Sequence, residues 1–510
     1  MPRKQDLAIT GERIVLKGQI SRDEAKEVIE AEGLAASPGF IDIHTHSDFN
    51  PWVYRDLGNK VRQGVTTEVV GNCGMSAAPV YTFHEQEISK VWSREGVEIP
   101  PALPWKNFAD YINETEVHGL DTNFVALVGQ GNLRSSVVGM RPGSVQKDDE
   151  ASIVKLLDES MDAGAFGVSF GLIYLPGIFA THEELVTLCR EAGAKGGLCA
   201  FHIRSEGKYL IESLQEAIDI GKEAGAPVHI SHLKAAGSKN WDKIGEAFQL
   251  IEKARAEGER VTADVYPYTS SFAELGVVLP DQLYQDPNRV ARFKDLNQRK
   301  ELLRELEDYY QKNPASWNKI RIATVASDKN ASLSGKILGE IAEAKKKSPV
   351  EVLVELLADE EFRVSAFYFS QSEKVLDQIL SKPYVAIGSD SIADGSAMPH
   401  PRAYGTFPRV LARCSQSGNV LTSPCWTHAV HQMTALPAEI LGLKERGKIS
   451  VGYYADLVLF DPAKVQDRAD YENPKAPPSG IEWVFVNGRP AVRQGKYTPV
   501  HSGLFLTREK

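Results

Sequence analysis

Cysteine is scarce in this sequence: five among 510 residues, and an odd number. A chain stapled by disulfides needs more of them at regular spacing, so no disulfide framework is expected, and the low usage fits a reduced cytoplasm. Long apolar runs are missing as well. No stretch approaches the roughly 18 apolar residues of a membrane span. The opening MPRKQDLAIT is basic but has no apolar segment behind it, so no secretory signal is expected. Basic charge is not in excess either: 58 Lys and Arg stand against 68 Asp and Glu, a net charge of −10. That balance gives no footprint for nucleic acid, although a local site can differ in sign from the whole. Internal repeats and low-complexity tracts are not found. With 42% hydrophobic and 25% charged residues, the composition is that of a globular protein rather than a disordered chain. The length suffices for one large catalytic domain and a smaller one, or for two or three ordinary domains.

Short β-branched runs alternate with longer helical stretches from about residue 38 to 445. The expected strands are FIDIHTH (40–46), TTEVVG (66–71), NFVALVG (123–129), FGVSFG (166–171), LCAFHI (198–203), PVHISH (227–232), VTADVYP (261–267) and YVAIGSD (384–390). Between them, ESLQEAIDIGKEAGA, closed by Gly225, and AFQLIEKARAEGE carry apolar positions at helical spacing. Strand and helix repeated about eight times predict parallel βαβ units. A doubly wound sheet alternates too. A closed (β/α)8 barrel is favoured because His44, His46, His202, His232 and Asp390 all fall at the C-terminal ends of expected strands, the face where barrel active sites are built.

Two further strand-like runs, IRIATVAS (320–327) and VSAFYFS (364–370), overfill an eight-strand count. The charge-rich segment from about 281 to 345, with the amphipathic ARFKDLNQRKELLRELEDYYQK, reads as an insertion between strands seven and eight, either a lid or a structural insert. The two ends of the chain share a strand-turn-strand texture, including the turn signal Asn487-Gly488. One small β-domain built from residues 1–37 and 446–510, flanking a barrel of residues 38–445, is the expected organisation.

Alternate residues on a strand share a face, so His44 and His46 can converge on one ion. Imidazole is a common zinc ligand, with carboxylate and thiolate as companions. Alone, His-x-His is a weak signal and more often marks two surface or hydrogen-bonded histidines. The other strand-end residues strengthen the metal reading: four of only 12 histidines end expected strands of one barrel. Cys73, in VVGNCG, follows the second strand between Gly71 and Gly74, which would let the backbone turn sharply toward a site. The plain alternative is a small buried thiol. His229, earlier on the strand of His232, is expected to face the other side in a structural role.

PGFIDIHTHSD, GNCG, GLIYLPG, FHIRSEG, SHLK, ADVYPY, GSD and HPRAYGTFPRVL occur in this order, followed by GKISVGYYADLVLFDP. The set resembles the D-aminoacylase (N-acyl-D-amino-acid deacylase) branch of the amidohydrolase superfamily over nearly the whole chain. The resemblance implies a distorted (β/α)8 barrel, a small β-sandwich and a zinc site. Cys73, His202 and His232 would hold one Zn2+ tightly, with Cys73 in the place of the carboxylated lysine of other barrel relatives. His44, His46 and Asp390 would form a second position, weaker or empty, and Asp390 would also be the catalytic acid/base. Such a site activates water and polarises an amide carbonyl, while a carboxylate moves the proton.

The resemblance further implies that Arg402 grips the substrate α-carboxylate, that Lys234 lies near it, and that Tyr174 and Tyr266 flank the amide or carboxylate. By residue type alone, such an Arg or Lys is more often a solvated or structural ion pair, and such a tyrosine is usually packing with a polar tip. The implied reaction is hydrolysis of a small N-acyl-D-amino acid to a carboxylate and a free D-amino acid, and the chirality comes from the resemblance alone. Cyclic-amide or dipeptide hydrolysis uses the same scaffold. A non-catalytic barrel would be expected to have lost ligands, and all six are present. The chain departs from the family pattern at Gln130, where many relatives have histidine, and at Ser391, where glycine is common. Ser270 and Ser271 compete for one donor role, and an opening strand pair is expected to be missing.

Overall fold

The computed structural model describes residues 4–94, 97–392, 398–415, 417–420 and 422–508. The eight barrel strands are present and mostly shorter than their sequence runs: Phe40–Asp42, Val65–Val70, Asn123–Ala126 continued by Val128–Gly129, Gly167–Gly171, Leu198–His202, Val228–Ile230, Val261–Val265 and Val385–Ile387. Neighbours pair in parallel in that order. The ring closes between last and first. Thr45 bridges Ser391, Asp390 N–H donates to the His44 carbonyl at 2.8 Å, and His46 N–H donates to the Ser391 carbonyl at 3.0 Å. This seam brings the His44–His46 pair beside Asp390.

Alternation along the first strand sorts its side chains. Ile41 and Ile43 pack outward with Val69, Val125 and Leu436, which leaves Asp42, His44 and His46 for the other face. Outer helices follow the expected pattern. Leu210–Ala224 buries Leu210, Leu214, Ala217, Ile218 and Gly221, and ends where Gly225, at φ 66°, turns its N–H back to the last carbonyls.

Both termini contribute to one antiparallel sheet of five strands. Ala35–Pro38 pairs with Leu457–Phe460, and Ile481–Val486, Arg489–Arg493 and Lys496–Tyr497 follow. Asn487 and Gly488, at φ 49° and 76°, make the two-residue turn their types demand. The chain does open on a strand pair, contrary to the expectation from the family pattern: Asp6–Thr10 and Arg13–Gly18 form a hairpin that touches Tyr454. The C-terminal stretch leaves the sheet and runs along the third barrel strand, where Phe124 N–H donates to Leu504 O and Leu506 N–H to Phe124 O.

The surplus strands form a separate antiparallel sheet. Val364–Tyr368 lies between Ser271–Glu274 and Ile320–Val325. The unit inserted between strands seven and eight therefore reaches beyond 281–345 on both sides. One face of its sheet, with Ile320, Ile322, Val364 and Ala366, joins a core of its own with Leu306 and Leu353. The other carries Phe272 and Phe367, 5.8 Å apart by ring centre, and Phe367 lies 5.3 Å from His400. The amphipathic run is two helices, Arg289–Lys294 and Leu296–Lys312, separated where the Asp295 carboxylate caps the second.

Cysteine usage needs one correction. Cys414 and Cys425 are joined, with Cα atoms 5.6 Å apart, while Cys73, Cys189 and Cys199 are free. A low count says nothing about which pair folding brings together. Among the described residues no helix is long and apolar enough to cross a membrane.

Candidate metal centre

The six proposed ligands meet at the mouth of the barrel. His44, His46, Cys73 and Asp390 offer ligand atoms within 4.8 Å of one another, and so do Cys73, His202 and His232; all six are buried. Cys73 belongs to both groups. Its Sγ lies 3.3 Å from His44 Nε2 and 3.5 Å from His232 Nε2. His232 Nε2 lies 2.9 Å from His202 Nδ1. Asp390 Oδ1 is 3.4 Å from His44 Nε2 and 3.3 Å from His46 Nε2. Ligands roughly 2.0–2.3 Å from one tetrahedral zinc stand roughly 3.3–3.8 Å apart, so most of these spacings suit a shared ion. The donor set suits it too: thiolate and imidazole are zinc ligands, and the carboxylate adds charge balance. His46 Nδ1 and His202 Nε2 are buried polar atoms without a protein partner.

Three of these residues carry an unusual backbone. Cys73, His232 and Asp390 are non-glycine residues at φ 52°, 38° and 49°. Such left-handed conformations cost on the order of 1–3 kcal/mol each and persist where the surroundings fix them. Around Cys73 the fixing is steric. A Cβ on Gly171 would lie 2.0 Å from the Cys73 carbonyl, and one on Gly71 2.0 Å from the Leu127 carbonyl. GNCG is thus a turn pressed against the neighbouring strands.

Electrostatics are set by crowding. Burial opposes charge on every group, yet His44 and His232 hold the Cys73 thiol well below its ordinary range. Arg402, His44 and His232 outweigh burial at Asp390 and keep it ionised. Against the same burial, Asp390 and Cys73 raise His46 to about 9. His232 rises to about 9 through Glu206, Cys73 and Asp390, against burial and Lys234.

The expected substrate groups lie close by. Arg402 Nη1 pairs with Asp390 Oδ2 at 2.8 Å. The Lys234 ammonium pairs with Glu206. Tyr266 is within reach of both cations, 4.7 Å from the Arg402 guanidinium and 5.6 Å from Lys234, and its hydroxyl accepts from Gln371. Tyr174 stands edge-on to His202, 5.0 Å between ring centres. Of the two serines, Ser270 is the buried one, bonded to His400 Nε2 at 2.8 Å and to the Tyr471 hydroxyl, whereas Ser271 begins the inserted sheet. Gln130 is turned to Glu184 at 2.8 Å. Residues 393–397, between Asp390 and Arg402, lie outside the described part of the chain.

An amidohydrolase family pattern matches residues 330–492. D-aminoacylase of Alcaligenes xylosoxydans xylosoxydans is 35% identical over 99% of this chain and 94% of its own length, and N-acyl-D-aspartate deacylase of that organism is 33% identical over 96% and 88%. The chain belongs to the D-aminoacylase family of amidohydrolases. Solved family members have the same fold. A crystal structure of D-aminoacylase superposes with TM-score 0.81 at 33% identity, covering 99% of this chain and 96% of that one. The N-acyl-D-glutamate deacylase of Bordetella bronchiseptica, complexed with zinc and a phosphonate mimic of the tetrahedral intermediate, gives 0.83 at 29% over the same shares.

Two carboxylates of this D-aminoacylase-family site were not singled out from sequence. Glu206 receives the His232 ring at 2.7 Å and the Lys234 ammonium. Asp264 lies 3.1 Å from His44 Nδ1. Glu206 sits inside the quoted motif FHIRSEG and Asp264 inside ADVYPY, so the motifs held the signal, but neither ends a strand.

These pKa directions set how metal binding depends on pH. In the metal-free protein His46 and His232 hold protons below about 9, and a ligating imidazole must give up the proton on its metal-facing nitrogen. Zinc loading at pH 7 is therefore expected to release protons, with apparent affinity rising from pH 6 toward 9. Calorimetry in buffers of different ionisation enthalpy measures this. Affinity and proton count that stay flat from pH 6 to 8 would contradict the charge arrangement.

Proposed function

We propose that the protein is a zinc-dependent deacylase that cleaves the amide bond of N-acyl-D-amino acids and releases a carboxylate and a free D-amino acid. The observation that carries this reading is the placement of Asp390. One oxygen faces His44 and His46, and the other pairs with Arg402, beside the Cys73–His202–His232 group. Bound at Cys73, His202 and His232, zinc would supply the Lewis acidity that polarises the carbonyl and lowers the pKa of water from 15.7 to about 7. Asp390, ionised at neutral pH, takes the proton of the attacking water and hands it to the leaving nitrogen. Arg402 offers a planar fork for the substrate α-carboxylate. In the resting arrangement that fork is engaged with Asp390, and Lys234 with Glu206. The incoming carboxylate must therefore share or displace these pairs. Tyr174, beside His202, and Tyr266, beside both cations, line the path of the amide.

The relatives favour a linear N-acyl-D-amino acid, since they are named as a D-aminoacylase and as deacylases of N-acyl-D-aspartate and N-acyl-D-glutamate. Likeness to D-hydantoinase, at 15% identity and TM-score 0.55, concerns the fold alone. A cytoplasmic site of action belongs to the same reading, on the low cysteine count. The Cys414–Cys425 bond is the feature such a compartment would place under reducing conditions.

The test is a panel of N-acetyl and N-formyl D- and L-amino acids with acidic, basic and apolar side chains, read by release of free amine from the zinc-loaded protein. Release from D members, abolished by a chelator and restored by zinc, is expected. Zinc-loaded protein that frees amine from no member, or from L members only, would overturn the reading.

A further inference from the structure

Asp264 is fully buried on the seventh barrel strand, Val261–Val265, and its carboxylate meets three donors. Oδ2 lies 3.1 Å from His44 Nδ1 and 2.9 Å from His229 Nε2; Oδ1 accepts the backbone N–H of His232 at 3.0 Å. An ionised carboxylate only accepts hydrogen bonds. Both ring nitrogens facing Oδ2 must therefore carry hydrogen. For His44 that assignment makes Nε2, the atom that faces Cys73 Sγ and Asp390 Oδ1, the nitrogen that gives up its proton to a metal ion. For His229 it leaves Nδ1 as the acceptor of the Thr262 hydroxyl at 2.9 Å. With both nitrogens engaged, His229 backs Asp264 and is not itself a ligand.

The second oxygen acts on the backbone. His232 stands in the left-handed region, and the Asp264 Oδ1 bond holds its N–H in that turn. Space for the arrangement is reserved by Gly388, directly after the eighth strand. A Cβ there would lie 2.5 Å from His44 Cβ and 3.0 Å from Asp264 Oδ1.

We infer that Asp264 is a positioning residue that joins the two metal positions, one oxygen setting the tautomer of His44 and the other fixing the turn that aims His232. The inference rests on the zinc reading above, and its test reads metal binding rather than turnover. Asp264→Asn keeps the shape but has one acceptor and one donor end. With the oxygen kept on the His232 N–H, the amide NH2 faces two ring N–H groups, and His44 is driven to the tautomer that protonates Nε2. The position formed by His44, His46 and Asp390 is then weakened, while the Cys73–His202–His232 position is kept.

Cobalt titration of the metal-stripped protein distinguishes these positions. In the wild type, two equivalents are expected, with thiolate-to-cobalt absorption appearing with the first. In Asp264→Asn that absorption is expected to saturate as in the wild type, while the second equivalent binds about 10–100-fold more weakly, the usual cost of losing an outer hydrogen-bond partner of a ligand. Thr262→Val leaves the carboxylate in place and removes only the hydroxyl behind His229. It is expected to weaken the second equivalent in the same direction by less, and it decides the matter if Asp264→Asn does not fold. The inference is overturned if the wild type takes one equivalent only, or if the folded Asp264→Asn binds both as the wild type does. When only Thr262→Val folds, an unchanged second equivalent overturns it. A wild type without any thiolate-to-cobalt absorption contradicts the zinc reading itself.

Discussion

Replacing Cys73 by serine is expected to strip the protein of tightly held zinc and, with it, of nearly all turnover. Cys73 is the one residue common to both ligand groups. Its thiol is held well below the ordinary range because His44 and His232 outweigh its burial. A serine hydroxyl in the same place stays protonated near neutral pH and brings no negative charge to the cation. Two imidazoles alone then remain for the tight position. Loss of an outer partner of a ligand costs about 10–100-fold in metal affinity; removal of a ligand that also supplies charge is expected to exceed that range. Zinc content after gel filtration and affinity by chelator competition measure the loss, and amine release at micromolar zinc is expected to fall with it. A serine variant that keeps one equivalent of zinc at near-normal affinity would mean that Cys73 is only a buried thiol.

Asp390→Asn is expected to separate binding from chemistry. Cys73, His202 and His232 are untouched, so one zinc equivalent stays. Asparagine cannot move a proton between water and the leaving nitrogen, and the rate is expected to fall by about 10²–10⁴-fold, the usual contribution of a general acid/base. The same change releases Arg402 from its 2.8 Å pair with Asp390. The freed guanidinium is then available to the substrate carboxylate, so KM is expected to hold or fall while kcat collapses. Steady-state kinetics on an N-acetyl-D-amino acid, with zinc content measured in parallel, give both quantities. A kcat near that of the unmodified protein would remove Asp390 from the proton transfer.

How far the sequence discloses this site depends on where each residue acts. His202 ends a parallel strand, His44, His46, His232 and Asp390 follow the ends of theirs within a few residues, and a barrel gathers strand ends at one mouth, so the strand pattern put them near one another. Gly71 and Gly74 announced the turn at Cys73, and both stand at positive φ. Asp264 and Glu206 are less legible because they work through other side chains. Asp264 touches a ring 220 positions away in the chain, and no local spacing encodes that. The inserted sheet was half visible. Its runs at 320–327 and 364–370 read as strands, but their partner Ser271–Glu274 is too short and too mixed in character to register. Arg402 and Lys234 show a different limit. Residue type allowed either a structural ion pair or a substrate contact, and without substrate each is an ion pair, with Asp390 and with Glu206.

The most direct test of the whole account is the coordination shell of zinc in the purified protein loaded with one equivalent. X-ray absorption at the zinc edge is expected to show one sulfur at about 2.3 Å with imidazole nitrogens at about 2.0–2.1 Å. A shell of nitrogen and oxygen alone would place the ion away from Cys73 and contradict the centre described here.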